Sequence, residues 1–428
     1  MKNIKKYLVA LLLVLALIGC SANNDTPADN GDIVVDVPEG TEITFWHAMN
    51  GAQEEALTKI TEDFMAANAN IKVILQNQGS YGDMQAKINS TLISPKDLPT
   101  ITQAYPNWLW NAAQDKLLVD LNPYITHAEI GLEDVDGIID GLMDASVIEG
   151  VQYGIPFNKS TEVLYYNADI LAQYGVEVPT TMEELKQASI TIYEGSNGAV
   201  VGAGFDSLNN YYSIGLKNEG VDFTPEIDVT GDASKAVVSY YADGVRDGYF
   251  RIAGSDRYLS GPFGAQTIAM NIGSMAGESH VRNGADGQFE YGVANRPSEI
   301  NLSQGTDIYM FTSATAEQKT AAFEYMKYLI SEDAQLYWAI QTGYMPVRES
   351  VLNSSEYLDN EISKVPAIVG DATKNLFAIP VIANADPAYN LGATMMEKIL
   401  SEIADGQDVD IDAELADFAT QFEAAWNQ

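Results

Sequence analysis

Between residues 43 and 104 the chain reads strand, helix, strand, helix, strand, and that order admits few folds. Residues 43–46 predict a strand, with His47 at its end. Leu57, Ile60 and Phe64 then recur at helical spacing, while Glu54, Glu55, Lys59 and Glu62 take the opposite face. Residues 71–75 ("IKVIL") alternate as a second strand, a helix follows over about 83–92, and a third strand spans 100–104. A βαβαβ order predicts an α/β fold with a mostly parallel sheet and helices on its faces. Ligands in such sheets collect at the carboxyl ends of the strands. Those ends carry Trp46 and His47, then residues 78–81, then residues 103–106 ("QAYP").

A second mixed segment follows. Residues 155–171 ("IPFNKSTEVLYYNADIL") read as a Pro-Phe turn, a hydroxyl-rich run, a buried strand at Val163 and Leu164, and a helix capped by Asn167. Tyr165 and Tyr166 are adjacent, so on a strand they face opposite ways and at most one can meet a ligand. Helices are expected near 182–189 and 233–246, and strands near 266–270, 289–294 and 307–312. Thr315 and Gln318 predict a capping box for a helix over 316–330, and residues 410–426 predict a terminal helix.

The N-terminal end reads as an address. Lys2, Lys5 and Lys6 precede an apolar run over 7–18, shorter than the roughly 20 residues of a transmembrane helix. It ends in "LIGC", which resembles the lipobox of bacterial lipoproteins and points to a lipid anchor on Cys20. The plainer alternative is an ordinary secretory signal with an incidental cysteine. Residues 1–20 are therefore expected to be a signal peptide. Residues 21–34, whose first twelve ("SANNDTPADNGD") carry almost no apolar content, are expected to be a tether that cannot bury enough surface to order itself. Cys20 is the only cysteine, so no disulfide is expected and the body must stand on its core. About 390 residues remain, enough for two domains or one split one. The formal charge of −37 repels phosphate backbones, so no nucleic-acid partner is expected.

Catalytic motifs are missing. The sequence has no G-x-S-x-G elbow, no phosphate-loop Gly-Lys pair and no H-E-x-x-H, and His47, His127 and His280 lack ligand spacing. No cofactor, metal or catalytic residue is expected. An exported glycoside hydrolase using an acidic pair is the alternative, since carboxylates are abundant. Trp46, Tyr81, Tyr105, Phe205 and Tyr344 lie at predicted strand ends or loops, where rings can stack on the apolar faces of a sugar; core packing is the ordinary fate of each. Trp108, Trp110, Trp338 and Trp426 are expected to pack.

Several segments carry a resemblance. "ITFWHAMNG", "GSYGDM", "YGIPFNKSTEVLYYN", "AMNIGSMAG", "TDIYMF" and "TGYMPVR" occur in an order that resembles extracellular solute-binding protein family 1, the substrate-binding lipoproteins of ABC importers. Within the family the chain is most similar to the glycerol-3-phosphate-binding components. The resemblance implies a two-lobed periplasmic-binding-protein-like fold, each lobe a mostly parallel sheet with flanking helices, joined by hinge crossings. One lobe would hold 35–155 plus 305–352, the other 156–304 plus 353–428, with residues 156–167 as the first crossing.

Carried over residue by residue, the resemblance implies ligand contacts from Tyr81, Ser160, Ser274, Gly305 and Tyr344. Two positions depart from the glycerol-phosphate pattern. Pro106 follows Tyr105 where those proteins have Glu, and no arginine occurs after Arg348, the corresponding stretch being "IANADPAYNLG" with Asn384 or Asp386 near the place. A guanidinium is the group best suited to clasp phosphate, so its loss weighs against a phosphate ligand. The expected function is capture of a carbohydrate or polyol-type solute (sugar, oligosaccharide or glycerol-3-phosphate-like) and delivery to an ABC permease. The protein is expected to be a monomer, extracytoplasmic and held to the membrane through Cys20.

Overall fold

A computed structural model describes residues 33–427. The expected signal segment, Cys20 and all but the end of the expected tether lie outside the described residues.

The opening order is realised as β1 (Thr41–His47), α1 (Ala52–Ala67), β2 (Ile71–Asn77), α2 (Tyr81–Thr91) and β3 (Ile101–Ala104). α1 buries Leu57, Ile60, Thr61 and Phe64 along one face, and Glu54 and Glu55 in its first turn complement the helix dipole. α2 starts at Tyr81 because Ser80 and Asp83 form a reciprocal capping box there. That cap places Tyr81 at the carboxyl-end edge of the sheet. β1 runs parallel to both neighbours, with Phe45 level with Leu75 and Ile101.

The run at 155–160 is a strand, not a turn. β4 (Gly154–Ser160) is followed after one residue, Thr161, by β5 (Glu162–Asn167). Pro156 fits because β4 is the sheet's last strand and its pairing shifts register opposite Thr306 and Asp307. Asn167 caps α3 (Ala168–Tyr174) by accepting the Ile170 N–H. Next come α4 (Met182–Gly195), β6 (Val201–Phe205), α5 (Leu208–Asn218), α6 (Asp232–Asp247), β7 (Phe250–Ile252), β8 (Ile268–Ser274), α7 (Glu278–Ala285) and β9 (Tyr291–Asn295). The chain continues through β10 (Gln304–Met310), α8 (Ala316–Leu329), α9 (Glu332–Thr342), α10 (Ala385–Ala404) and α11 (Ile411–Trp426). Thr315 and Gln318 make the predicted box ahead of α8. β6, "VGAGF", is invisible to hydrophobic periodicity because glycine replaces side chains. A Cβ on Gly202 would lie 2.2 Å from Ser189 Cα, so glycine lets α4 lie close on the sheet.

Two five-stranded sheets result, ordered β2-β1-β3-β10-β4 and β9-β5-β8-β6-β7. Each is mixed. β1/β2, β1/β3, β8/β6 and β6/β7 are parallel, whereas β10/β3, β10/β4, β8/β5 and β9/β5 are antiparallel. The mostly parallel expectation holds only within the crossover units; strands that travel between sheets enter each one antiparallel.

Because β4 belongs to the first sheet and β5 to the second, the chain crosses at Thr161, later than the expected break after 155. The return crossing lies between β9 and β10. The two are strapped together: Thr161 Oγ1 donates to the Leu302 carbonyl at 2.8 Å, Asn301 Nδ2 donates to the Glu162 carbonyl at 2.7 Å, and Ser160 is level with Gln304. Phe157, Trp338 and Tyr344 share one apolar cluster with Val163, Tyr165 and Met275, so the core runs continuously beneath the crossings. A second core fills the far face of the second sheet, where Leu164, Phe205, Tyr211 and Ile272 meet Met396, Ile399 and Phe418.

Candidate functional site

The carboxyl ends of β1–β3 and the starts of the segments after them form one wall of the candidate site. Tyr81 and Tyr344 share a hydroxyl hydrogen bond of 3.0 Å, and Asn158 Nδ2 donates to Tyr81 Oη at 3.0 Å. Asn158 is fixed in turn: its Oδ1 accepts from Thr306 Oγ1 at 2.7 Å and from Gln103 Nε2 at 3.1 Å. Tyr344 is buried and stacks on Trp338, with centroids 5.3 Å apart and planes 16° from parallel. Tyr105 packs against Tyr81 at 5.7 Å and against Trp108 at 5.1 Å, and the Gly305 backbone bonds its hydroxyl. Burial holds the phenols of Tyr81, Tyr105 and Tyr344 above the usual tyrosine range, so they act as neutral hydroxyls.

Gly305 adopts φ +93°, and a Cβ there would lie 2.0 Å from the Asn158 carbonyl oxygen. Only glycine lets β10 pass this close to β4. Lys159, directly opposite Gly305, places its Nζ 2.9 Å from Asp307 Oδ1 with both side chains buried, and Ser146 Oγ donates to Asp307 Oδ2 at 2.6 Å.

Ser160 and Ser274 are joined to this wall through the crossing. The Met275 N–H donates to the Thr161 carbonyl at 2.9 Å, the Met345 N–H donates to the Lys159 carbonyl at 2.8 Å, and Ser274 is level with Glu162. Ser274 Oγ accepts the Ala276 N–H at 3.2 Å, capping the turn that leads to α7. Tyr165 and Tyr166 face opposite ways as predicted: Tyr165 Oη donates to the carbonyls of Ser274 and Met275, while Tyr166 packs over Gly292.

Two expected residues lie elsewhere. Trp46 is buried in the cluster containing Met84, Ile88 and Tyr309, and its Nε1 donates to Gln76 Oε1 at 2.7 Å. Phe205 is 1% exposed and sits edge-on to Tyr211, Tyr241 and Phe250. Both stand at strand ends, but their rings turn inward, where burying a large apolar surface stabilises the fold most.

The second wall contains groups that sequence reasoning missed. Asp206 follows β6 directly, and its Oδ1 accepts from Ser207 Oγ at 3.1 Å and Tyr211 Oη at 3.2 Å. Burial, with the nearby Glu162 charge adding to it, pushes the Asp206 carboxyl up to about 7. Glu162 accepts from Arg296 Nε at 3.0 Å and from Asn210 Nδ2 at 2.9 Å, and Asn210 Oδ1 accepts from Tyr389 Oη. Burial raises the Glu162 carboxyl despite the guanidinium beside it. Tyr258 is exposed, within electrostatic reach of Asp206 on its own lobe and of Tyr105 and Tyr344 on the other. The available signal for Asp206 was position alone, the first polar residue after a strand in an α/β sheet.

Gln85 Nε2 and Asn107 Nδ2 donate to the two oxygens of Asp386, at 2.6 and 3.1 Å. Asp386 opens α10, which packs on α5 and α11 of the second lobe. Burial pushes its carboxyl up to about 6.

Comparison with known proteins gives a consistent answer. A family model described as bacterial extracellular solute-binding protein matches residues 59–367. Among curated relatives, the sn-glycerol-3-phosphate-binding periplasmic protein UgpB of Rhizobium meliloti (strain 1021) is 24% identical over 334 residues, covering 72% of this chain and 75% of that protein. The GacH receptor of Streptomyces glaucescens GLA.O, solved unliganded and with acarbose, is similar at a TM-score of 0.78 and 20% identity, covering 91% of this chain and 99% of that one. UgpB from Mycobacterium tuberculosis in complex with glycerophosphocholine is similar at a TM-score of 0.78 and 19% identity, with 91% and 99% covered. At these identities the structural likeness establishes a common fold.

Proposed function

This chain belongs to the bacterial extracellular solute-binding protein family, and from that premise we propose that it captures a carbohydrate or polyol-type solute between its lobes and hands it to the membrane subunits of an ABC importer. The observation that carries the reading is the convergence of two groups of side chains on the crossings between the sheets. A wall of fixed phenols and rings (Tyr81, Tyr105, Trp108, Tyr344) is joined by two strapped crossings to a polar wall with Ser274 and Asp206. Such a pairing suits a solute with apolar C–H faces and hydroxyl edges. Tyr81, Ser160, Ser274, Gly305, Tyr344 and Tyr105 are proposed as its contacts. The lobes are proposed to divide at Thr161 and within 296–303. The segment 353–372 packs against both sides, with Tyr357 and Val365 in the cluster of α9, and with Ser363 and the Lys364 N–H bonded to Glu278 of α7.

Function requires binding without bond making. The open form closes on solute only to the extent that the closed form binds it better. A micromolar site needs about 8 kcal/mol net, within reach of a few stacked rings and charge-assisted hydrogen bonds in a dry cleft. The chain acts outside the cytoplasm, and a diacylated Cys20 is proposed to tether it. Metabolic labelling with palmitate should mark the wild-type chain, and Cys20→Ser should release it to the medium.

The binding reading is tested by thermal-shift and calorimetric titration of the mature chain. The panel is glycerol, sn-glycerol-3-phosphate, glycerophosphocholine, maltose and maltotriose. At least one member should raise the melting temperature with a rise that grows with the logarithm of its concentration. No saturable ligand, together with turnover of an aryl glycoside, would replace the reading by the hydrolase alternative.

A further inference from the structure

Phe205 is level with Ile272 in the parallel β6/β8 pair, so the next residues, Asp206 and Gly273, also come level. A Cβ built on Gly273 would lie 3.6 Å from Asp206 Oδ2, 3.7 Å from Asn271 Oδ1 and 3.8 Å from Asn271 Nδ2. Gly273 therefore leaves a small pit with a carboxylate oxygen on one side and an amide on the other. The side-chain bonds to Asp206 from Ser207 and Tyr211 both fall on Oδ1, away from the pit. The Leu259 backbone also bonds the carboxylate. Asn271 is only 4% exposed, yet its Oδ1 has no hydrogen-bond partner among the described residues. A buried acceptor left unpaired is destabilising, and such a group in a native protein calls for a partner.

The buried cations of the cleft are already engaged. Lys159 is paired with Asp307, and Arg296 with Glu162 and Ser298. Arg257 stands on the exposed rim, within electrostatic reach of Asp83 and Tyr258. At the pit itself two acceptor oxygens, Asp206 Oδ2 and Asn271 Oδ1, stand beside one donor group, Asn271 Nδ2, and no cationic side chain is among the nearest atoms.

We propose that Asp206 and Asn271, flanking Gly273, form a hydrogen-acceptor subsite that takes an uncharged, hydroxyl-bearing end of the solute and turns a phosphate end away. A hydroxyl supplies the donor that Asn271 Oδ1 lacks and reaches Asp206 Oδ2 beside it, and Gly273 lets its carbon sit where a side chain would stand. A phosphate offers oxygens to oxygens and sets like charges together where water is scarce. The inference rests on the solute-binding reading and narrows it to neutral sugars or polyols, or to ligands that keep any phosphate out of this pit.

Calorimetry on the mature chain and on Asp206→Asn and Gly273→Ala tests it, with maltose, maltotriose, glycerol and sn-glycerol-3-phosphate as probes. Asp206→Asn turns an acceptor into a donor at nearly constant shape. Gly273→Ala fills the pit with a methyl group at ordinary contact distance, so its ligand-free melting temperature should match wild type. A neutral probe should bind wild type, and both variants should lose about ten-fold or more in affinity while staying folded. Affinities of folded variants within about two-fold of wild type, or sn-glycerol-3-phosphate as the tightest probe with both variants unaffected, would overturn the subsite alone. Absence of any saturable probe would remove the solute-binding reading, and this inference with it.

Discussion

Asp206, proposed as a binding group, shows how such a group can work against the stability of its own fold. An unfolded aspartate titrates near about 3.9, whereas burial lifts this one to about 7. Between those values the folded chain keeps a proton that the unfolded chain has lost. Stability therefore falls as pH rises through that window and levels off above it. The effect is bounded by about 4 kcal/mol, three pKa units at about 1.4 kcal/mol each. Asp206→Asn should melt above wild type at about pH 8, and the gap should close toward about pH 4. Thermal denaturation of ligand-free protein across that range checks the sign. A gap independent of pH would mean that the carboxylate is not strained. Residue-level reading of the sequence found the phenols at Tyr81 and Tyr344 through their motifs. It could not see Asp206 or Asn271, because their partners are supplied by strands whose pairing is not written locally.

At the scale of elements, β4 and β10 bear the closest backbone approach of the site. Gly305 holds a left-handed backbone with the Asn158 carbonyl against its Cα, and the buried pair is made by Lys159, directly opposite Gly305, and Asp307, two residues further along β10. Gly305→Ala must either push the strands apart or distort φ, and moving them would leave buried charges poorly paired. A loss of about 3 kcal/mol or more is expected from urea unfolding. A midpoint within about 0.5 kcal/mol of wild type would show that the strands part easily, contrary to the geometry. Elements with strong local signals were legible: α1 by period, α8 by its capping box, α3 by Asn167. β6 was not, since Gly202 and Gly204 erase the alternation that marks a strand; close helix–sheet packing demanded glycine there.

For the molecule as a whole, Gln85 and Asn107, beside the first sheet, donate to Asp386, whose helix packs on α5 of the second. We propose that these two hydrogen bonds latch the closed form; burying the carboxylate, which lifts it to about 6, offsets part of the gain. Asp386→Ala should shift the balance toward the open form by roughly ten-fold and weaken solute binding in step. Small-angle scattering of ligand-free and loaded protein should show a larger radius for the variant before saturation and the same radius at saturation. An unchanged radius and affinity would rule out a latch. By itself the sequence determined the α/β class, the order of the first crossover unit and the crossing near Ser160, because hydrophobic period, caps and ordered motifs are local properties of the chain. Only the tertiary structure decided that the sheets are mixed, that Trp46 and Phe205 turn into the core, that Asp206 comes beside Asn271, and that Asp386 meets Gln85 and Asn107. Those outcomes depend on which distant strands and helices come to lie side by side, and side-chain direction is settled by packing between them.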